Sequence, residues 1–179
     1  MQKVKKDLLR FMIVSEKLNF RMPEKIEIKK SSVRLNRNDG SPLQHSLFDP
    51  VPDEDFNDVE RDVALYLEDQ REMFFWYRNR ARNDYSIQGW RKQRIYPDFI
   101  FTTKERDNPS FNKAFVVETK GLHLKNEDTV YKQTVFDLCN QLSIEKNMGE
   151  LGYKFKDKPV RFEVIFEDEW KRKLNEITS

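Results

Sequence analysis

Tyr96-Pro97-Asp98-Phe99-Ile100-Phe101 and, further along, Ala114-Phe115-Val116-Val117-Glu118-Thr119-Lys120-Gly121 are the stretches on which the reading of this chain turns. Both are apolar and β-rich, and Asn108-Pro109-Ser110 between them is turn-like. The pair therefore reads as two adjacent strands joined by a loop. Each strand carries a carboxylate where its pattern should exclude one, Asp98 on the first and Glu118 on the second. Lys120 lies two residues past Glu118, and alternation along a strand points both side chains to one face. Two acids and a lysine are thus expected to converge at the end of a small sheet.

That arrangement suits a hard divalent cation. Carboxylates on neighbouring strands can hold Mg²⁺, which keeps several waters and takes substrate phosphate oxygens, and Mn²⁺ is expected to substitute. A lysine beside the ion can orient or deprotonate a water and offset charge on a phosphate. The chemistry is phosphodiester hydrolysis. The bland alternative is a surface hairpin with scattered charges, but these acids interrupt apolar runs.

Upstream, residues 56–70 form the clearest helical pattern, with Phe56, Val59, Val63 and Leu67 recurring at three and four. Glu60 borders that stripe and has two readings. Asn57-x-x-Glu60 is a capping box, and a helix packed behind the sheet would also bring Glu60 to the acids. Residues 72–77 are an aromatic strand, 78–84 a basic turn, and 85–95 an extended or strand segment broken by Gly89. From Arg78 to Arg94 six basic residues face one acid, a net charge of +5 in a chain whose total is +2. Arg78, Arg80, Arg82, Arg91, Lys92 and Arg94 beside Trp76, Tyr77, Trp90 and Tyr96 suggest a phosphate-tracking surface, the aromatics serving mainly the core.

Downstream, residues 127–148 read as a long helix capped by Asn126 or Asp128, with Cys139 a small core residue and Lys132 and Gln141 facing either the site or solvent. Residues 160–166 alternate as a strand, and 168–177 form a short charged helix. At the other end, 3–19 read as a helix, 24–35 as one or two strands and 36–52 as loop, where His45 is expected to be solvated. From Phe56 onward the order is close to αβββαβ.

Fourteen Phe, six Tyr and three Trp supply a core, and interspersed charges, 36% of the chain, argue against disorder. The single cysteine excludes an internal disulfide and fits a reducing cytoplasm. Two distant histidines exclude the usual zinc constellations, and no apolar run approaches a membrane span.

The spacing Pro97-Asp98…Glu118-x-Lys120 resembles the PD-(D/E)XK nuclease signature. With Phe56-Asn57-Asp58-Val59-Glu60-Arg61-Asp62-Val63-Ala64 and Trp76-Tyr77-Arg78-Asn79, the chain from about residue 47 to 142 resembles the C-terminal endonuclease domain of Type III restriction enzyme restriction subunits and related helicase–nucleases. The resemblance implies a restriction-endonuclease-like αβββαβ core at 47–179, a central mixed sheet flanked by helices, and an N-terminal helix and strand extension at 1–46. It implies that Asp98 and Glu118 bind Mg²⁺, that Lys120 is catalytic and that Glu60 completes the site by supporting a metal or its water, with the Thr119 backbone carbonyl a further expected ligand. It places Arg78 and Asn79 near DNA.

Family members join this domain to an ATP-driven helicase motor and work with a modification methyltransferase subunit. No Gly-x-x-x-x-Gly-Lys-Ser/Thr phosphate loop occurs here, so an excised domain or a stand-alone relative is expected. Two rival readings stay open: a non-catalytic DNA-binding or docking module of the same fold, and a same-fold nuclease acting on branched DNA or RNA.

Overall fold

The computed structural model describes residues 33–105, 108–121, 126–145 and 160–178. The expected helix at 3–19 and most of the 24–35 strand region lie outside them. The elements are helix α1 (Asp58–Glu68), strands β1 (Met73–Arg78), β2 (Phe99–Glu105) and β3 (Asn108–Lys120), helix α2 (Glu127–Glu145), strand β4 (Val160–Phe166) and helix α3 (Trp170–Thr178). The protein is α/β, with a four-stranded mixed sheet flanked by helices. Strand order is β1-β2-β3-β4. The first three strands pair antiparallel, and β4 joins β3 in parallel through the α2 crossover.

Both faces of the sheet are covered, which explains why the central strands are apolar almost without interruption. Phe99, Phe101, Phe115, Val117 and Ile165 pack with Phe56, Val63 and Leu67 around α1 and with Leu174 and Ile177 of α3. The alternate positions Ile100, Ala114, Val116, Phe162 and Val164 pack with Tyr131, Val135, Phe136 and Cys139 of α2. Cys139 is a buried free thiol, pushed up to about 12 by burial. A capping box starts α1, with Asn57 Oδ1 accepting from Glu60 N at 2.9 Å, and Asn126 Oδ1 starts α2 by accepting from the backbone of Asp128 and Thr129.

The boundary expected at 46/47 falls inside a segment tied to β1. Trp76 N donates to His45 O at 2.9 Å, and Leu47 N donates to Trp76 O at 2.8 Å. Leu35 belongs to the α1-side core. His45 is also held rather than merely solvated: its Nδ1 lies 2.9 Å from Glu68 O. The carboxylate of Glu68 accepts from the backbone of Gln44 and His45 and from the Trp76 indole at 2.9 Å.

Two local expectations are corrected. Asn108-Pro109-Ser110 is not a turn but the start of β3, with Asn108 opposite Glu105. The register shifts between Thr103 and Glu105 mark irregular pairing there, a setting in which strands tolerate proline. Residues 85–95 are not a strand. Only Ile87 and Ile95 pair, by bonds of 2.8 and 2.9 Å, and the segment is otherwise an irregular loop. It docks on α2 through Gly89, Trp90 and Arg91, whose guanidinium lies 4.2 Å from the Tyr131 ring centroid.

At Gly89 a Cβ would collide with the Tyr131 hydroxyl and lie 3.0 Å from Val135 Cγ2. Gly89→Ala is therefore expected to cost about 1–3 kcal/mol, read as a lowered urea midpoint. An unchanged midpoint would refute this packing of loop on helix.

Candidate functional site

The backbone of Asp98 is pinned where three strands meet. Its N–H donates to Val117 O at 2.8 Å, and its carbonyl accepts from Asn79 N at 2.8 Å. Its side chain reaches β3: Oδ2 accepts from Thr119 N at 2.7 Å and from Thr119 Oγ1 at 2.8 Å. Since a strand residue's N–H and C=O lie on one side, the Thr119 carbonyl also faces the Asp98 side.

Glu118 and Lys120 share the α2 face, as alternation predicts. Lys120 Nζ lies 2.5 Å from Glu118 Oε1, and Lys132 Nζ, arriving from α2, lies 2.7 Å from the same oxygen. Glu118 is only 2% exposed, and its Oε2 is buried with no hydrogen-bond partner. Burial and the nearby Asp98 charge push the Glu118 carboxyl above its ordinary range, against the pull of the two lysines. Burial acts most strongly on the Lys132 ammonium and would lower it, but the charge and hydrogen bond of Glu118, together with Asp128, hold it above its ordinary value. The sequence reading left Lys132 between site and solvent. The signal was there: 132, 135, 136 and 139 form one helical stripe, and a lysine heading an apolar stripe points at the sheet.

Glu60 unites its two readings. Its Oε2 accepts from Asn57 N at 3.0 Å, completing the capping box, while Oε1 lies 2.7 Å from Arg78 Nη2. Burial raises its carboxyl above the usual range, with Arg78 opposing and Asp98 adding to the rise. Arg78 is not splayed toward solvent. Its Nη1 reaches Asp98 Oδ1 at 3.2 Å and donates to the carbonyls of Asp98 and Asn79 at 2.9 and 3.1 Å. The guanidinium sits 5.4 Å from the Phe99 ring centroid and 5.8 Å from that of Phe56.

The expected DNA-facing residues divide. Asn79 is 1% exposed, and its amide staples the loop by donating to Tyr85 O and Pro97 O and accepting from Tyr85 N. Arg80 is held by Asp84 through Nε and Nη2, each at 3.1 Å. Arg91 lies over Tyr131 and 3.4 Å from Asp128. Arg82, Lys92 and Arg94 are exposed. Arg78, Arg80, Asn83, Tyr96, Asp55 and Asp98 line a cavity of about 400 Å³.

Among the described residues, no three of Asp, Glu, His and Cys come together closely enough to enclose a metal ion. The fold gives the reason: Glu60 and Arg78 lie toward the α1 face, Glu118 with its lysines toward the α2 face, and Asp98 at the sheet end between them. Asp98 and Glu118 nevertheless fit a hydrated divalent cation. Both supply hard oxygen donors, the Asp98 charge is near enough to act on the Glu118 carboxyl, and Glu118 Oε2 is a buried carboxylate oxygen lacking a partner. Comparison with protein-family models, with curated proteins and with solved structures gives no match.

Asp84 organises the basic turn, accepting from Arg80 and from the Tyr77 hydroxyl. Burial pushes its carboxyl up, but the hydrogen bonds from Arg80 and Tyr77 outweigh this and hold it below the usual value. A lowered folded-state pKa means stabilisation that is complete above the unfolded pKa and lost as pH falls through the folded one. Asp84→Asn is expected to cost about 2 kcal/mol near neutrality. The gap to wild type should close below about pH 4 in paired urea melts, and a gap independent of pH would contradict this assignment.

Proposed function

We propose that this chain is a divalent-metal-dependent endonuclease domain that hydrolyses DNA phosphodiester bonds, built on a restriction-endonuclease-like αβββαβ core. The observation that carries the reading is a buried Glu118, acted on by the nearby Asp98 charge, whose Oε2 has no partner while both lysines crowd Oε1. Mg²⁺ or Mn²⁺ would be held by Asp98, Glu118 and the Thr119 carbonyl. When bound, such an ion polarises the phosphoryl group and acidifies a coordinated water.

The chain's own groups do the rest. Thr119 fixes the Asp98 carboxylate through two hydrogen bonds. Lys132 keeps a positive charge on Glu118 Oε1, which allows Lys120 to leave that oxygen and orient the attacking water or meet the phosphate. Glu60 anchors Arg78 beside Asp98. Arg82, Lys92 and Arg94 contribute sequence-independent phosphate contacts whose strength falls with salt. By its resemblance to Type III restriction subunits, the domain belongs to a restriction or phage-defence helicase–nuclease. A motor would deliver DNA, and a modification methyltransferase subunit would read the target.

Supercoiled plasmid incubated with the chain in Mg²⁺ and in Mn²⁺ is expected to be cut, and Asp98→Ala to lower the rate by more than about a hundredfold. Cleavage that persists in Asp98→Ala overturns the assignment. Salt-sensitive DNA binding with no cleavage in either metal favours the docking-module reading, and faster cutting of branched DNA or RNA than of duplex redirects the substrate.

A further inference from the structure

Resting on the metal-dependent reading above, we infer that Arg78 stands where a second divalent cation would otherwise sit, so that the site takes one metal ion, at Asp98 and Glu118, and presents a fixed guanidinium to the substrate phosphate from the other side.

Two-metal phosphodiester sites need carboxylates that bridge or flank both ions. Here the bridge between Glu60 and Asp98 is already made by a guanidinium, with Nη2 2.7 Å from Glu60 Oε1 and Nη1 3.2 Å from Asp98 Oδ1. This cation is fixed. Nη1 also donates to the carbonyls of Asp98 and Asn79, two aromatic rings flank the group, and the side chain is 16% exposed. A divalent ion at Glu60 would have to displace all of these contacts or endure a like charge within a few ångströms, in surroundings that screen it weakly.

Oxygen accounting agrees. Each carboxylate oxygen of Glu60 and Asp98 accepts from a named donor. On Glu118, Oε1 takes two lysines and Oε2 takes nothing. The open coordination therefore lies on the α2 side of Asp98, and the α1 side is filled. Arg78 also lines the cavity of about 400 Å³ beside Asp98, together with Arg80. A phosphate entering that cavity meets the fixed positive charge of the Arg78 guanidinium, opposite the metal.

Calorimetric titration of the whole chain with Mn²⁺ tests this without reference to cleavage. Wild type should bind one ion per chain. Glu118→Gln should weaken that binding by more than about tenfold, since the open oxygen is its own. Glu60→Gln should leave affinity within about threefold, because Glu60 serves Arg78 and not the metal. Arg78→Gln, checked for folding by circular dichroism, should admit a second Mn²⁺. Two ions bound by wild type, or loss of the single ion in Glu60→Gln, would overturn the inference while leaving metal-dependent cleavage intact. No Mn²⁺ bound by wild type would overturn the metal-dependent reading itself.

Discussion

The register of β2 against β3 is the constraint from which the rest follows. Phe99 opposite Val117 and Phe101 opposite Phe115 place one set of side chains under α1 and the alternate set under α2. Because side chains repeat every two residues, a slip of one position would exchange these sets and turn both faces inside out. The same register, carried one step beyond the ladder, sets Asp98 opposite Glu118 and within reach of the neighbouring Thr119, which holds its carboxylate. Core packing and site geometry are therefore two outcomes of one pairing.

Charge balance is the second constraint. Glu60, Asp98 and Glu118 are countered by Arg78, Lys120 and Lys132 at hydrogen-bonding distances. Buried acids of one sign would otherwise repel one another and disfavour ionisation, and the upward pressure on Glu60 and Glu118 shows that burial still tells against their charged forms. On the proposed reading, a divalent ion arriving with a phosphodiester would bring a net charge near +1 and leave one lysine surplus to Glu118. The asymmetric loading of that carboxylate, two cations on one oxygen and none on the other, suits an exchange of this kind.

Asp98 just before β2 and Glu118 on β3 were legible because charge within an apolar run needs a reason, and alternation alone placed Lys120 beside Glu118. The mixed sheet and its flanking helices were legible from periodicity. Glu60 was legible only as a choice between cap and site, because the sequence does not reveal that one carboxylate's two oxygens can serve both. The burial of Asn79 was not legible because an asparagine in a basic turn looks solvent-facing, and only the folded loop brings Tyr85 and Pro97 backbone groups to its amide. Asn108-Pro109 read as a turn from local preference, and pairing across the sheet prevailed. The ion pairs of Arg78 were not legible because Glu60 and Asp98 are remote in sequence, whereas Asp84 lies close enough to Arg80 to suggest that pair.

The burial of Cys139 has a practical side. Lying between α2 and the sheet, with its proton held to about 12 by the apolar surroundings, the thiol is closed to alkylating reagents in the native state. As the only cysteine in the chain, it is a built-in clock: labelling proceeds only through openings that lift α2 from the sheet. Its rate reports the free energy of parting the very helix that carries Lys132 to Glu118.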